Sequence, residues 1–139
     1  MRVFFDTNVL VSAVISRGIS AELFELVLAD HQFITGEVNL TELRRILLQR
    51  FRAEADSVRQ LEKLLRQETI IPKPDQANEI VRDPDDTWVL ASAVAAGADI
   101  LVTGDKDLLQ VSAPLPTLTP RDCWLRLRGS ADPSALNTP

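Results

Sequence analysis

Apolar residues along this chain follow two rhythms: short solid runs bounded by polar residues, and longer stretches where they recur every three or four positions. The first short run, VFFD at 3–6, reads as a buried strand closed by a carboxylate. A mainly apolar helix at 9–15 follows and breaks at Arg17 and Gly18. Ser20 is placed to cap the next helix, on which Leu23, Leu26 and Val27 share a side. QFIT at 32–35 is a second strand. Residues 37–51 predict an amphipathic helix with Leu40, Leu43, Leu47 and Phe51 as its stripe. Residues 55–68 predict another, carrying Val58, Leu61, Leu64 and Leu65. TIIP at 69–72 is a third strand, ended by Pro72 and Pro74.

Beyond a polar connection, RDPDDTW runs directly into VLASAVAA, a helix that starts among acids and stops at Gly97. DILVT at 99–103 is the clearest strand in the chain. Leu108 and Leu109 belong to a short helical turn, and residues 117–118 form a last strand. Thr119 and Pro120 supply a cap and a first-turn proline for a final helix to about Arg128. WLRLR also alternates with period two, which makes a strand there the minor alternative. Residues 129–139 are small, polar and proline-tipped, the expected signature of a flexible tail outside a domain spanning 1–128. Strands alternating with helices imply an α/β domain with a mainly parallel sheet.

Composition narrows this picture without deciding function. A chain of 139 residues encloses one core. A single cysteine, Cys123, excludes an intrachain disulfide and a cysteine-rich metal site, and reads as a small buried apolar residue. No signal peptide-like segment precedes the run at Arg2, and no apolar stretch is long enough for a bilayer, so a cytoplasmic protein is expected. The net charge of −5 argues against a broad nucleic-acid-binding surface, although carboxylates gathered on metal ions would give the same total. Aromatic residues are few and scattered, so no stacking platform for bases is expected.

In open α/β sheets, functional groups gather beyond the carboxyl ends of the strands. Asp6 closes the first strand and Asp105 follows the fourth, while Asp83, Asp85 and Asp86 precede a helix that begins on the same edge. Any one of these acids is well explained as a helix cap or a complement to a helix dipole. Together, with little positive charge beside them, they point to a site. Glu42 lies in line with Val38 and Ile46, where helical geometry alone favours a boundary residue with a solvated head. His31 falls between a helix and a strand and reads as structural or solvent-facing. Converging carboxylates repel one another unless cations neutralise them. Mg²⁺ or Mn²⁺ suits such hard oxygen ligands, lowers the pKa of bound water and stabilises a phosphodiester in displacement.

FDTNVLVSA, LTELRRIL, DPDDTWVLASAVAAGAD and ILVTGDKDLL, in this order and spacing, resemble the PIN domains. These are metal-dependent nuclease domains found in RNA-processing proteins and as toxins of prokaryotic toxin–antitoxin pairs. The resemblance runs from Arg2 to about Arg128. It implies a three-layer α/β/α fold with a parallel five-stranded sheet of order 3-2-1-4-5. It also implies that Asp6, Glu42, Asp86 and Asp105 form a catalytic and metal-binding quartet, supported by Thr7, Asn8 and Thr103. Asp83, Asp85 and Asp107 stand close enough in sequence to contribute. Arg44, Arg45, Arg82 and Lys106 are candidates for contacting phosphates. The implied protein is an Mg²⁺- or Mn²⁺-dependent endoribonuclease that meets RNA, an antitoxin protein and a second copy of itself.

Two other classes deserve weighing. A receiver-like phosphoacceptor module also places acids at strand ends, with a lysine in the position Lys106 occupies. It needs an aspartate closing a middle strand, and the second and third strands end in Thr35-Gly36 and Ile71-Pro72. A catalytically silent PIN-like interaction domain would have no need of Glu42 and Asp86.

Overall fold

Phe4 faces one side of a sheet and its neighbours Val3 and Phe5 face the other, and this alternation organises the whole molecule. The computed structural model describes residues 1–77, 83–111 and 113–131. Five strands pair in parallel: β1 (Arg2–Phe5), β2 (Gln32–Gly36), β3 (Thr69–Ile71), β4 (Ile100–Val102) and β5 (Thr117–Leu118). Their order is β3-β2-β1-β4-β5, as the resemblance implied. Phe4 aligns with Ile34 on one side and Leu101 on the other, so three central strands share one register.

Helices cover both faces. Against Val3, Phe5, Phe33, Ile100 and Val102 lie α1 (Thr7–Ile15), α2 (Ile19–Asp30), α3 (Glu37–Gln49), α4 (Ala55–Leu65) and α7 (Pro120–Ala131). Phe5, Phe24 and Phe33 meet there with ring centroids 5.0–5.8 Å apart. The other face, with Phe4, Ile34 and Leu101, packs against α5 (Pro84–Ala95) and α6 (Lys106–Gln110). Small residues along α5, Ala91, Ser92 and Ala93, are buried, and a Cβ on Gly36 would lie 3.4 Å from that of Ser92. Gly97 ends this segment with φ of 65°, the left-handed conformation that glycine adopts without strain.

The element boundaries correct several expectations. Ser20 is not a cap: α2 starts at Ile19 behind Gly18, and Ser20 is buried within it. Phe51 leaves the apolar stripe because α3 ends at Gln49 and the chain turns through Arg52 at positive φ, exposing the ring. Leu64 is also exposed, since α4 rests on the body through Val58 and Leu65. WLRLR is helical, and α7 continues to Ala131, past the expected end near Arg128. Thr119 does cap it, its hydroxyl accepting from the Asp122 amide at 3.1 Å. Of the expected tail, residues 132–139 lie outside the described residues.

Strand order decides where chemistry can gather. The chain builds outward from β1 to β3, then returns to β4 on the opposite side of β1. The carboxyl ends of β1 and β4 therefore flank the switch point.

Truncation should read out this packing directly. Phe33→Ala removes a ring from the three-phenylalanine contact and should cost about 3–5 kcal/mol in urea unfolding. Leu64→Ala, on the solvated side of α4, should stay within about 0.5 kcal/mol of the parent.

Candidate metal centre

The Asp6 carboxylate is buried at the switch point, where β1 gives way to α1. Its backbone amide still belongs to the sheet, donating to the Val102 carbonyl at 3.0 Å, while its side chain caps the helix. Oδ1 accepts from the Thr7 amide at 2.7 Å and from Asn39 Nδ2 at 3.3 Å. Oδ2 accepts from the Thr103 hydroxyl at 2.6 Å and, at 3.4 Å, from Asn8 Nδ2. Burial pushes Asp6 up to about 6, against the opposing pull of the Thr103 and Thr7 hydrogen bonds, with Glu42 and Asp105 adding to the rise.

Thr103 links this carboxylate to the next. Its hydroxyl donates to Asp6 and accepts from the Asp105 amide at 3.0 Å. Asp105 then caps α6 through the Asp107 amide, while Asn8 Oδ1 accepts from the Gly104 amide at 3.1 Å. The loops after β1 and β4 are thus tied together by Thr103 and Asn8.

The acidic segment before α5 divides its work. Asp83 is the cap, accepting from the Asp85 amide at 2.9 Å, and Pro84 opens the helix. Asp85 is exposed, whereas Asp86 turns inward and is buried. Single ligand oxygens of Asp86, Asp105 and Asp107 all lie within 4.8 Å of one another. Asp86 Oδ2 is buried without a hydrogen-bond partner among the described residues. Burial, then the hydrogen bond and charge of Asp105, then Asp6 and Asp83, raise Asp86 to about 7. An orphaned buried oxygen within a set of hard carboxylate ligands fits a divalent cation.

Not every expected residue joins this cluster. Asp6 lies against it with both oxygens occupied by donors, and Asp107 supplies the third close ligand. Glu42 acts on Asp6 through charge, but its side chain is 43% exposed and sits 3.8 Å from Arg45. Arg44 departs from expectation. It is bidentate on Glu62 of α4, at 2.8 and 2.9 Å, so the Glu62 carboxylate, which Arg66 shares, holds it on the α3–α4 side. Lys106 is exposed at the start of α6, and Arg82 lies outside the described residues.

Asn39 is the residue that sequence reasoning missed. It is fully buried, and its Nδ2 donates to Asp6 Oδ1 and, at 3.0 Å, to Thr7 Oγ1. A signal was present: Asn39, Leu43 and Leu47 follow the helical period, so an amide stands on an otherwise apolar line. Gly36 makes room for it, since a Cβ there would come within 2.9 Å of Asn39 Oδ1.

A family model described as "PIN domain" matches residues 2–107. Similar solved structures include VapBC2 from Rickettsia felis bound to a DNA fragment from their promoter. That match has a TM-score of 0.64 at 17% identity, covering 84% of this chain and 97% of that one. VapBC-1 from nontypeable Haemophilus influenzae gives 0.63 at 19% identity, covering 87% and 99%. FitAcB from Neisseria gonorrhoeae gives 0.59 at 17% identity, covering 86% and 98%. At these identities the likeness is one of fold. No curated protein sequence matches the chain.

The raised acids set a pH dependence of opposite sign to that of ordinary surface ion pairs. Asp6 and Asp86 rise from 3.8 to about 6 and about 7, so folding favours their protonated forms. Their stabilisation is complete below pH 3.8 and is lost as pH rises through 6–7. Glu37, lowered by its hydrogen bonds from Arg66, acts the other way and loses its contribution as pH falls below 4.5. Thermal melts in metal-free buffer should therefore show stability declining from about pH 5 to pH 8. Saturating Mg²⁺ or Mn²⁺ should raise the melting temperature more at pH 8 than at pH 5. A metal-free melting temperature that climbs over this range would contradict the assignment.

Proposed function

The chain belongs to the PIN-domain family, and on that premise we propose that it is a divalent-metal-dependent endoribonuclease, the toxin of a toxin–antitoxin pair. The observation that carries this reading is the cluster of Asp86, Asp105 and Asp107, with an unpartnered buried Asp86 oxygen facing the charge of its neighbours. A receiver-like module does not belong to this family, and that alternative falls away.

Asp86, Asp105 and Asp107 would hold Mg²⁺ or Mn²⁺, which when bound acidifies water and offsets charge on a phosphodiester. Asp6 positions Asp105 among them. Its carboxylate fixes the Thr103 hydroxyl, which in turn receives the amide of Asp105. Asn39 and the Thr7 amide hold Asp6 from the other side and keep it from turning. Asp6 and Glu42, both close enough to act on the site through charge, complete the proposed quartet with Asp86 and Asp105. Arg45 beside Glu42 and Lys106 beside Asp105 would meet phosphates entering from solvent. No side-chain nucleophile is required.

The structures of VapBC and FitAcB complexes support a protein partner for this chain, here proposed as an antitoxin. Self-association and a cytoplasmic place of action belong to the same proposal. Among the described residues, no helix is long and apolar enough to cross a membrane.

With single-stranded RNA and Mg²⁺ or Mn²⁺, the purified protein should cleave, and EDTA should stop it. Asp6→Asn should lower the rate by about 10–100-fold or more while leaving the circular dichroism spectrum unchanged. Equal cleavage in EDTA would refute the mechanism. The acids before α5 give a second check. Asp86→Asn should abolish cleavage, whereas Asp83→Asn should retain it, because asparagine caps a helix as well as aspartate does.

A further inference from the structure

Glu42 also lines a cavity of about 270 Å³ between α3 and the start of α5. Val38, Glu42 and Arg45 of α3 form one wall, and Asp85 and Trp88 of α5 form the other. Lys73, two residues after β3, closes the cavity with its ammonium 4.2 Å from the centroid of the Trp88 ring. We propose that this cavity is a nucleotide subsite for single-stranded RNA, with one base on the Trp88 indole and the adjoining phosphate between Lys73 and Arg45. The proposal deepens the nuclease reading and rests on it for the identity of the ligand.

Three features support a nucleotide as the occupant. The first is position: Glu42 belongs to both the cavity and the proposed quartet, and Asp85 is adjacent to Asp86. A strand lying here passes directly by the acids. The second is the aromatic face. Trp88 is half-buried with the Lys73 ammonium over one face of its ring. A base takes that face as the ammonium moves to the adjoining phosphate, and an indole face stacks any base without reading its identity. The third is available positive charge. Among the described residues Lys73 has no carboxylate partner, and Arg45 touches Glu42 only at 3.8 Å. A volume just below the roughly 300 Å³ of small-ligand pockets holds one base rather than a folded RNA element.

The larger groove between α3 and α4 makes the contrast. Three of its four cations are engaged, Arg44 and Arg66 by Glu62 and Glu37 and Arg59 by Asp56, and no aromatic ring lines it. The scatter of aromatic residues in the sequence gave no hint of a platform. The fold supplies one by placing a single ring beside the acids.

Trp124→Phe leaves Trp88 as the sole tryptophan and allows its emission to be followed in the full-length protein. A phosphorothioate single-stranded oligoribonucleotide with Mg²⁺ should quench that emission saturably, and the same sequence as a duplex should not. In cleavage assays Trp88→Leu should raise KM by roughly 5- to 100-fold, with the loss falling on KM rather than kcat, and Trp88→Phe should retain most binding. Lys73→Met should weaken binding and flatten its salt dependence. Thermal melts of each variant separate these effects from misfolding. Absence of quenching, equal quenching by duplex, or an unchanged KM in folded Trp88→Leu would overturn the subsite. Cleavage by the wild-type protein with no role for Trp88 leaves the nuclease reading standing. Quenching by single-stranded RNA without any cleavage would support the subsite and sink the nuclease reading.

Discussion

A hydrogen bond of 2.6 Å between the Thr103 hydroxyl and the buried Asp6 carboxylate joins the two central strands beyond their last backbone pairing. Burying a carboxylate is costly unless donors surround it, and Asp6 receives them from Thr7, Asn8, Asn39 and Thr103. Those donors come from α1, α3 and the end of β4. Charge in the middle of the molecule therefore dictates how three separate segments meet. Thr35 adds to this frame from β2, its buried hydroxyl donating to the Phe5 carbonyl at 2.8 Å.

The same arrangement separates two kinds of acid. Asp6 is satisfied by hydrogen bonds and rigid, whereas Asp86 is buried with one oxygen unpartnered. A protein that wanted only helix caps would have left Asp86 facing solvent, as Asp85 does. Its inward turn instead sets it against Asp105, at a cost visible in the raised pKa of Asp86. On the proposed reading, that electrostatic tension is what a divalent cation relieves. Binding strength and protonation then compete for the same oxygens.

Much of this was legible in the chain because period and position carry it. VFFD, QFIT and DILVT announce buried strands, and acids at the carboxyl ends of strands mark one edge of a sheet. The sequence left the cap open between Asp83 and Asp85, and the hydrogen bond from the Asp85 amide decides for Asp83. Other features depended on which neighbours the fold supplies. Arg44 looked available until α4 brought Glu62 to it, and Phe51 lost its place when α3 stopped two residues early. Asn39 stood on an apolar line, yet only the tertiary contact with Asp6 explains why. Trp88 gained its setting from Lys73 and α3, both remote from it in sequence.

Thr103 and Asp6 are 97 positions apart, and that separation governs when the site comes into being during synthesis. Chains emerge from the ribosome amino-terminal end first, and β4 lies in the sheet between strands that appear early and one that appears late. Until β4 is out, Asp6 lacks its Thr103 donor and neither Asp105 nor Asp107 exists. A nascent chain that stops before β4 therefore carries no assembled acidic cluster. Completion of the central sheet and assembly of the acidic cluster are one event, which no chain ending before β4 reaches.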